Sequence, residues 1–282
     1  MKKHILLIYI FCIVSSYGIS QTLSVATYNI KFDDKRDTIN NWSNRLPQII
    51  GLIKHHQLDI IGTQEGLKHQ LEDLKDGLLS YEYIGVGRED GINKGEFSAI
   101  FYNTEKVKVS DSGNFWLSET PDKPSVGWDA AMERICTWVR FETISDETTQ
   151  VFYVFNAHFD HVGREAQINS TKLILEQIPK IIKNEEVILM GDFNITPQSE
   201  AYENLKSSTL TDSYISSASP PYGPIGTFNA FDWQMKPTRR IDYIWTSQNL
   251  IIKKYAVITD NYGLKYPSDH FPVRALISFV KK

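Results

Sequence analysis

Five short polar clusters sit close behind apolar runs, and they hold the residue types that hydrolytic chemistry needs. Tyr28-Asn29 follows the run 23–27, Gln64-Glu65 follows 59–62, and Asn156-Ala157-His158 follows 151–155. Gly191-Asp192-Phe193-Asn194 follows 187–190, and Ser268-Asp269-His270 stands near the C-terminus. Apolar runs of four or five residues rich in Val, Ile and Phe predict buried strands. Loops just past such strands are where α/β proteins place their chemistry. Asn, Glu, Asp and His gathered in this way make a pocket of hard oxygen ligands and imidazoles. That set suits a divalent cation and a phosphate ester.

The elements that must carry these clusters follow from periodicity. Apolar residues at Leu46, Ile49, Ile50 and Ile53 predict a helix over 42–55, capped by Asn41 or Ser43, with Pro47 fitting its first turn. A second helix is predicted over 67–79, a third over 166–183 and a short one over 201–205. Strands are predicted over 23–30, 58–61, 81–86, 97–102, 107–112, 137–143, 151–155, 187–190, 241–246, 251–259 and 273–279. Many strands with few substantial helices imply a mixed pair of sheets flanked by helices, not a doubly wound parallel sheet. The Pro/Gly-rich stretches 217–229 and 260–268 read as surface loops that wall a cleft.

Lys2-Lys3, an apolar stretch over 5–17 and small residues before Gln21 have the layout of a secretory signal peptide over 1–20. The apolar stretch is shorter than the roughly 20 residues that span a bilayer. A single domain over 21–282 remains, secreted or periplasmic, with no membrane span after cleavage. Cys136 is then its one cysteine, so stability rests on the hydrophobic core that a domain of roughly 260 residues can build. Losing Lys2 and Lys3 takes the formal charge from -4 to -6. No strongly basic face for gripping nucleic acid is evident. No repeat or low-complexity tract is present, and no protein partner is implied.

Six motifs in order resemble the endonuclease/exonuclease/phosphatase superfamily: Thr27-Tyr28-Asn29-Ile30, Thr63-Gln64-Glu65, Asn156-Ala157-His158, Gly191-Asp192-Phe193-Asn194, Arg240-Ile241-Asp242-Tyr243-Ile244 and Ser268-Asp269-His270-Phe271-Pro272. The resemblance implies a four-layer α/β sandwich, two central mixed sheets flanked by helices, with the site at one end. It implies Glu65 and Asp269 as carboxylates for Mg²⁺ (or Mn²⁺), with Asn29 as a ligand or a nearby donor. Asp192 would orient or deprotonate the attacking water, and Asn194 would stabilise charge on the phosphoryl oxygens. His158 and His270 would be the site histidines, supported by Glu96 and Asp242 respectively. Arg134 falls where related nucleases carry a phosphate-contacting arginine.

Of Arg239 and Arg240, adjacent on a strand, at most one can face the site. Trp42, Arg45, Trp128, Phe228, Phe231 and Trp233 are candidates for the pocket wall, of which one or two are expected to serve. His161 reads as a core histidine. The expected activity is metal-dependent hydrolysis of a phosphate ester, diester or monoester, on a small molecule or nucleic acid. A secreted nuclease is the alternative, and a noncatalytic binding module of the same fold is the remote one.

Overall fold

The computed structural model describes residues 22–145 and 148–280. The expected signal peptide lies outside the described residues. In chain order the elements are β1 (Thr22–Asn29), α1 (Trp42–His55), β2 (Ile60–Gln64), α2 (Lys68–Gly77), β3 (Tyr81–Ile84), β4 (Ile100–Asn103), β5 (Val107–Trp116) and β6 (Ile135–Thr143). They continue as β7 (Val151–His158), α3 (Arg164–Ile181), β8 (Glu186–Asp192), α4 (Glu200–Lys206), β9 (Leu210–Asp212), α5 (Ser213–Ser216), β10 (Asp242–Ser247), β11 (Leu250–Val257) and β12 (Val273–Phe279).

Two six-stranded sheets form, in the orders β11-β12-β1-β2-β4-β3 and β5-β6-β7-β8-β10-β9. Each holds one parallel pair, β1 with β2 and β7 with β8, among antiparallel neighbours. Their facing sides bury Val25, Ile60, Val154, Ile188, Met190, Ile244 and Ile277. The outer face of the first sheet packs Ala26, Tyr28 and Ile61 against Ile49, Leu52 and Ile53 of α1 and Leu71 and Leu74 of α2. The second sheet packs Phe155, Leu189 and Trp245 against Ile174 and Ile178 of α3 and Ala201 and Leu205 of α4. This is the expected four-layer sandwich. The central strands are covered on both faces, which is why β1, β2 and β8 are buried along nearly their whole length and do not alternate between buried and exposed residues.

The clusters differ from expectation in one way that matters for the site. Asn29, Gln64, His158 and Asp192 are the last paired residues of their strands, not loop residues beyond them. Backbone pairing persists because His158 stands opposite Asp192 on β7 and β8, and Asp192 opposite Asp242 on β8 and β10. Helix α1 has the predicted bounds and the Asn41 cap, whose side chain accepts from the Asn44 amide. Pro47 falls in its second turn, not its first. The Ser43 carbonyl that it leaves unpaired belongs to an exposed residue, so water can satisfy it. The short β9 and α5 had no periodicity to betray them.

Candidate active site

Register places the site. His158, Asp192 and Asp242 stand side by side across β7, β8 and β10 at one end of the second sheet. Such close approach requires Gly191, at φ 153°, because a Cβ there would lie 1.9 Å from the Ala157 carbonyl oxygen. In the first sheet Asn29 pairs with Gln64, which brings Glu65 beside it. A buried polar bolt joins the sheets just below. The Gln64 amide donates to Asn156 Oδ1 at 2.7 Å, and Asn156 donates to the carbonyls of Thr63 and Ala99. Gly62 leaves room for it, since a Cβ would meet Asn156 Oδ1 at 2.7 Å. Lys31, Glu65 and Asn194 all adopt positive φ, at 57°, 63° and 52°. Such strain costs of order 1–3 kcal/mol per residue and clusters at functional sites.

Asp192 Oδ2 is the hub. It accepts from Asn29 Nδ2 at 3.0 Å and lies 3.6 Å from His158 Nε2 and 3.7 Å from His270 Nε2. Asn29 Nδ2 also donates to Glu65 Oε1 at 3.0 Å, while its Oδ1 accepts from the Lys31 amide. Asn29 therefore donates to two carboxylates, and its oxygen keeps a second lone pair. The Lys31 ammonium lies 3.2 Å from Glu65 Oε2 and 3.5 Å from Asp269 Oδ2. Glu65 and Asp269 thus already share one positive centre, which is the arrangement a divalent cation needs. Asp192, Asp242 and His270 form a second group whose ligand atoms lie within 4.8 Å of one another. There, however, His270 Nδ1 is taken by Asp242 Oδ2 at 2.9 Å.

Charge divides the two histidines. Burial disfavours the charge on His270, but Asp242 and Asp192 outweigh it and push its pKa up to about 10. His158 is held well below the usual imidazole range by burial and by the Arg134 and Arg88 guanidiniums. Burial and the Asp242 charge raise Asp192 to about 7. Burial raises Asp269 as well. Glu65 is lowered: Lys31 and the Asn29 amide overcome the penalty of its burial. Environments that separate like groups in this way assign acid and base roles.

Other sites differ from the sequence reading. Glu96 lies 3.9 Å from His158 Nδ1, beyond hydrogen-bond reach, and is instead paired with Arg88 at 2.8 Å. Burial raises Glu96 to about 7, with Arg88 pulling against it. The Asn194 amide faces His158 Nε2 at 3.3 Å and donates to the Phe159 carbonyl at 3.1 Å, so its hydrogens have partners within the protein. Arg134 is buried against Asp160 at 3.2 Å and its Nη2 meets His161 Nδ1 at 2.9 Å. His161 itself is exposed, not a core residue. Arg240 turns inward onto Asp212 at 2.7 Å, and Arg239 is exposed.

Arg45 is buried. Its guanidinium binds the carbonyls of Ile30, Lys31, Asn40 and Pro267, clamping the loops that bear Lys31 and Asp269. Gln70 helps from α2 by accepting from the Asp33 amide and donating to the Lys31 carbonyl. Trp42 is buried and donates to Asp73. Phe228, by contrast, packs edge-on against His270 with ring centroids 5.1 Å apart. Arg88 and Gln70 went unread in the sequence because neither sits in a motif. Asp260, paired with His56, plays no part in the cluster.

Fold and site define a phosphoesterase scaffold, and the comparisons agree. Residues 26–270 match the model of the Endonuclease/Exonuclease/phosphatase family, and the chain belongs to that family. A crystal structure of an endonuclease/exonuclease/phosphatase family protein from Bacteroides thetaiotaomicron superimposes with TM-score 0.90. It is 41% identical, and the match covers 93% of this chain and all of that one. A mannosyl-6-phosphatase from the same organism is 42% identical with TM-score 0.88, covering 91% of this chain and all of that one. An uncharacterized protein of Acanthamoeba polyphaga mimivirus is 31% identical over 187 residues, which is 64% of this chain and 68% of that protein. Among the described residues, no helix is long and apolar enough to cross a membrane.

Proposed function

We propose that this protein is a secreted or periplasmic, divalent-cation-dependent phosphatase of small phosphate monoesters, with sugar 6-phosphates as the leading substrate class. The observation that carries the reading is the convergence of His158, His270 and Asn29 on Asp192 Oδ2, with Glu65 and Asp269 beside it. The similarity to a mannosyl-6-phosphatase and the acidic net charge of -4 favour a small ester over a polyanion. Glu65 and Asp269 would hold Mg²⁺ or Mn²⁺, which neutralises phosphoryl oxygens and eases loss of the leaving oxygen.

The chain's own residues do the rest. Asp192, with a pKa near neutrality, takes a proton from the attacking water as its oxygen bonds to phosphorus. The phosphorus–alkoxide bond breaks on the opposite side, and the leaving oxygen takes a proton from the His270 imidazolium, which Asp242 holds in place. Each group contributes on the scale of 10²–10⁴-fold, roughly, for acid–base catalysis. His158, kept neutral, gives a polar wall beside Asp192 and not a positive clamp on phosphate. The test is a substrate panel with Mg²⁺, Mn²⁺ or EDTA: mannose 6-phosphate, glucose 6-phosphate, bis(4-nitrophenyl) phosphate and plasmid DNA at low salt. Ion-dependent hydrolysis of the monoesters is expected. DNA cleavage that outpaces them, or turnover untouched by EDTA, overturns the reading.

A further inference from the structure

A phosphate monoester arrives as a dianion, so a site that prefers it over a diester needs a cation free to meet the extra charge. Most basic side chains tied to the site are already committed within the protein. Arg88 is paired with Glu96, Arg134 with Asp160 and Arg240 with Asp212, while Lys31 sits between Glu65 and Asp269, the place a cation would take. Arg45 is spent on backbone carbonyls.

Arg239 differs. It is exposed, and no ion pair engages it among the described residues. Its Cζ stands 5.9 Å from the ring centroid of Phe228, the ring that packs on His270. Its backbone is fixed as well. The Arg239 carbonyl accepts from the Thr227 amide, and the Thr227 hydroxyl donates to Asp242, the carboxylate that holds His270. Phe228 pairs by backbone with His270 itself. A free guanidinium is therefore mounted on the segment that orients the proton donor. Neither arginine lies in a strand, since β10 begins at Asp242, so the expected alternation does not apply; Arg240 is held by Asp212 and Arg239 is the one left free.

We infer that Arg239 is the residue that recognises the dianionic phosphoryl group and makes the site prefer monoesters to diesters. The inference rests on the proposed phosphatase reading and names the determinant of its specificity. A planar fork offers two parallel hydrogen bonds to two phosphoryl oxygens, and lysine offers only a point charge. Losing a hydrogen bond to a charged group costs about 1.5–3 kcal/mol, or about tenfold to a hundredfold.

The experiment compares wild type, Arg239→Ala and Arg239→Lys on 4-nitrophenyl phosphate and bis(4-nitrophenyl) phosphate with Mg²⁺. Monoester kcat/KM should fall about tenfold to a hundredfold in R239A, mainly through KM. Diester kcat/KM should fall far less, and R239K should recover part of the loss. Binding is read separately, as the rise in melting temperature caused by inorganic phosphate, with and without Mg²⁺. That rise should vanish in R239A while the melting temperature without phosphate stays at the wild-type value. Equal losses on both esters, or an unchanged phosphate-induced rise, overturn the inference. Should the wild type hydrolyse neither ester, the phosphate-induced rise still decides for or against Arg239, and it is the phosphatase reading that fails.

Discussion

Replacing Asp242 with Asn removes the negative charge that holds the His270 proton and keeps a side chain of the same shape. Both partners are buried, and Asp242 Oδ2 meets His270 Nδ1 at 2.9 Å. Asp242 is the largest favourable influence on the His270 charge, which burial alone would suppress. In the variant His270 should fall from about 10 to its ordinary value or lower. A fall to 6.5 is worth about 5 kcal/mol, at 1.36 kcal/mol per pKa unit. At pH 8 the imidazolium fraction then drops from nearly all to about 3%, so kcat should fall about thirtyfold. At pH 6 the loss should shrink to about 1.3-fold. Asp192 should shift down too, since Asp242 raises its pKa. Both limbs of the pH–rate profile therefore move to lower pH. The wild type should be active between limbs near 7 and 10, each moved downward by a bound cation. Profiles of kcat at fixed Mg²⁺ test this. An alkaline limb at the same pH in D242N and wild type would falsify the assignment of His270 as the proton donor.

Stability carries its own signs. The raised pKa of His270 contributes stability fully below its unfolded value of 6.5 and loses it as pH rises through about 10. The melting temperature of D242N should therefore trail wild type most at pH 6 and least at pH 10.5. Asp192 is raised from 3.8 to about 7, so its ionised form destabilises the fold above neutrality. Asp192→Asn should cut kcat at least about a hundredfold while raising the melting temperature at pH 8; activity loss with a lowered melting temperature contradicts this. Arg45→Met leaves four buried or half-buried carbonyls without their donor. It should destabilise the protein by about 2–4 kcal/mol in urea titrations and weaken Mg²⁺ binding in calorimetry, whereas a surface role predicts no change in either.

Much of the fold was legible because the buried strands announce themselves as apolar runs and α1 has a strong 3.6-residue period with a clear Asn41 cap. The short β9 and α5 were not, being too brief for a period to show. The same local reading identified Asp192, His158, His270, Glu65 and Asp269, which the two sheets bring together at one end. Sequence could not say how these residues divide their partners. Arg134 looks like a phosphate ligand by position, yet Asp160 is buried and needs a cation, and Arg134 supplies it. Glu96 stands next to His158 in space, but Arg88, eight positions earlier and outside any motif, claims it. Arg45 resembled a pocket residue because nothing local shows that its partners lie at 30, 31, 40 and 267. Buried pairings depend on long-range register, and register is settled only when both sheets have formed.

On the proposed reading, carboxylates from distant parts of the chain form one cation-loaded centre next to Asp192. Soaking crystals with Mn²⁺ and recording anomalous scattering at the manganese edge tests it directly. One strong peak is expected between Glu65 and Asp269, with the Lys31 ammonium displaced from between them. A peak among Asp192, Asp242 and His270 instead, or no peak at Mn²⁺ concentrations that support turnover, would contradict it.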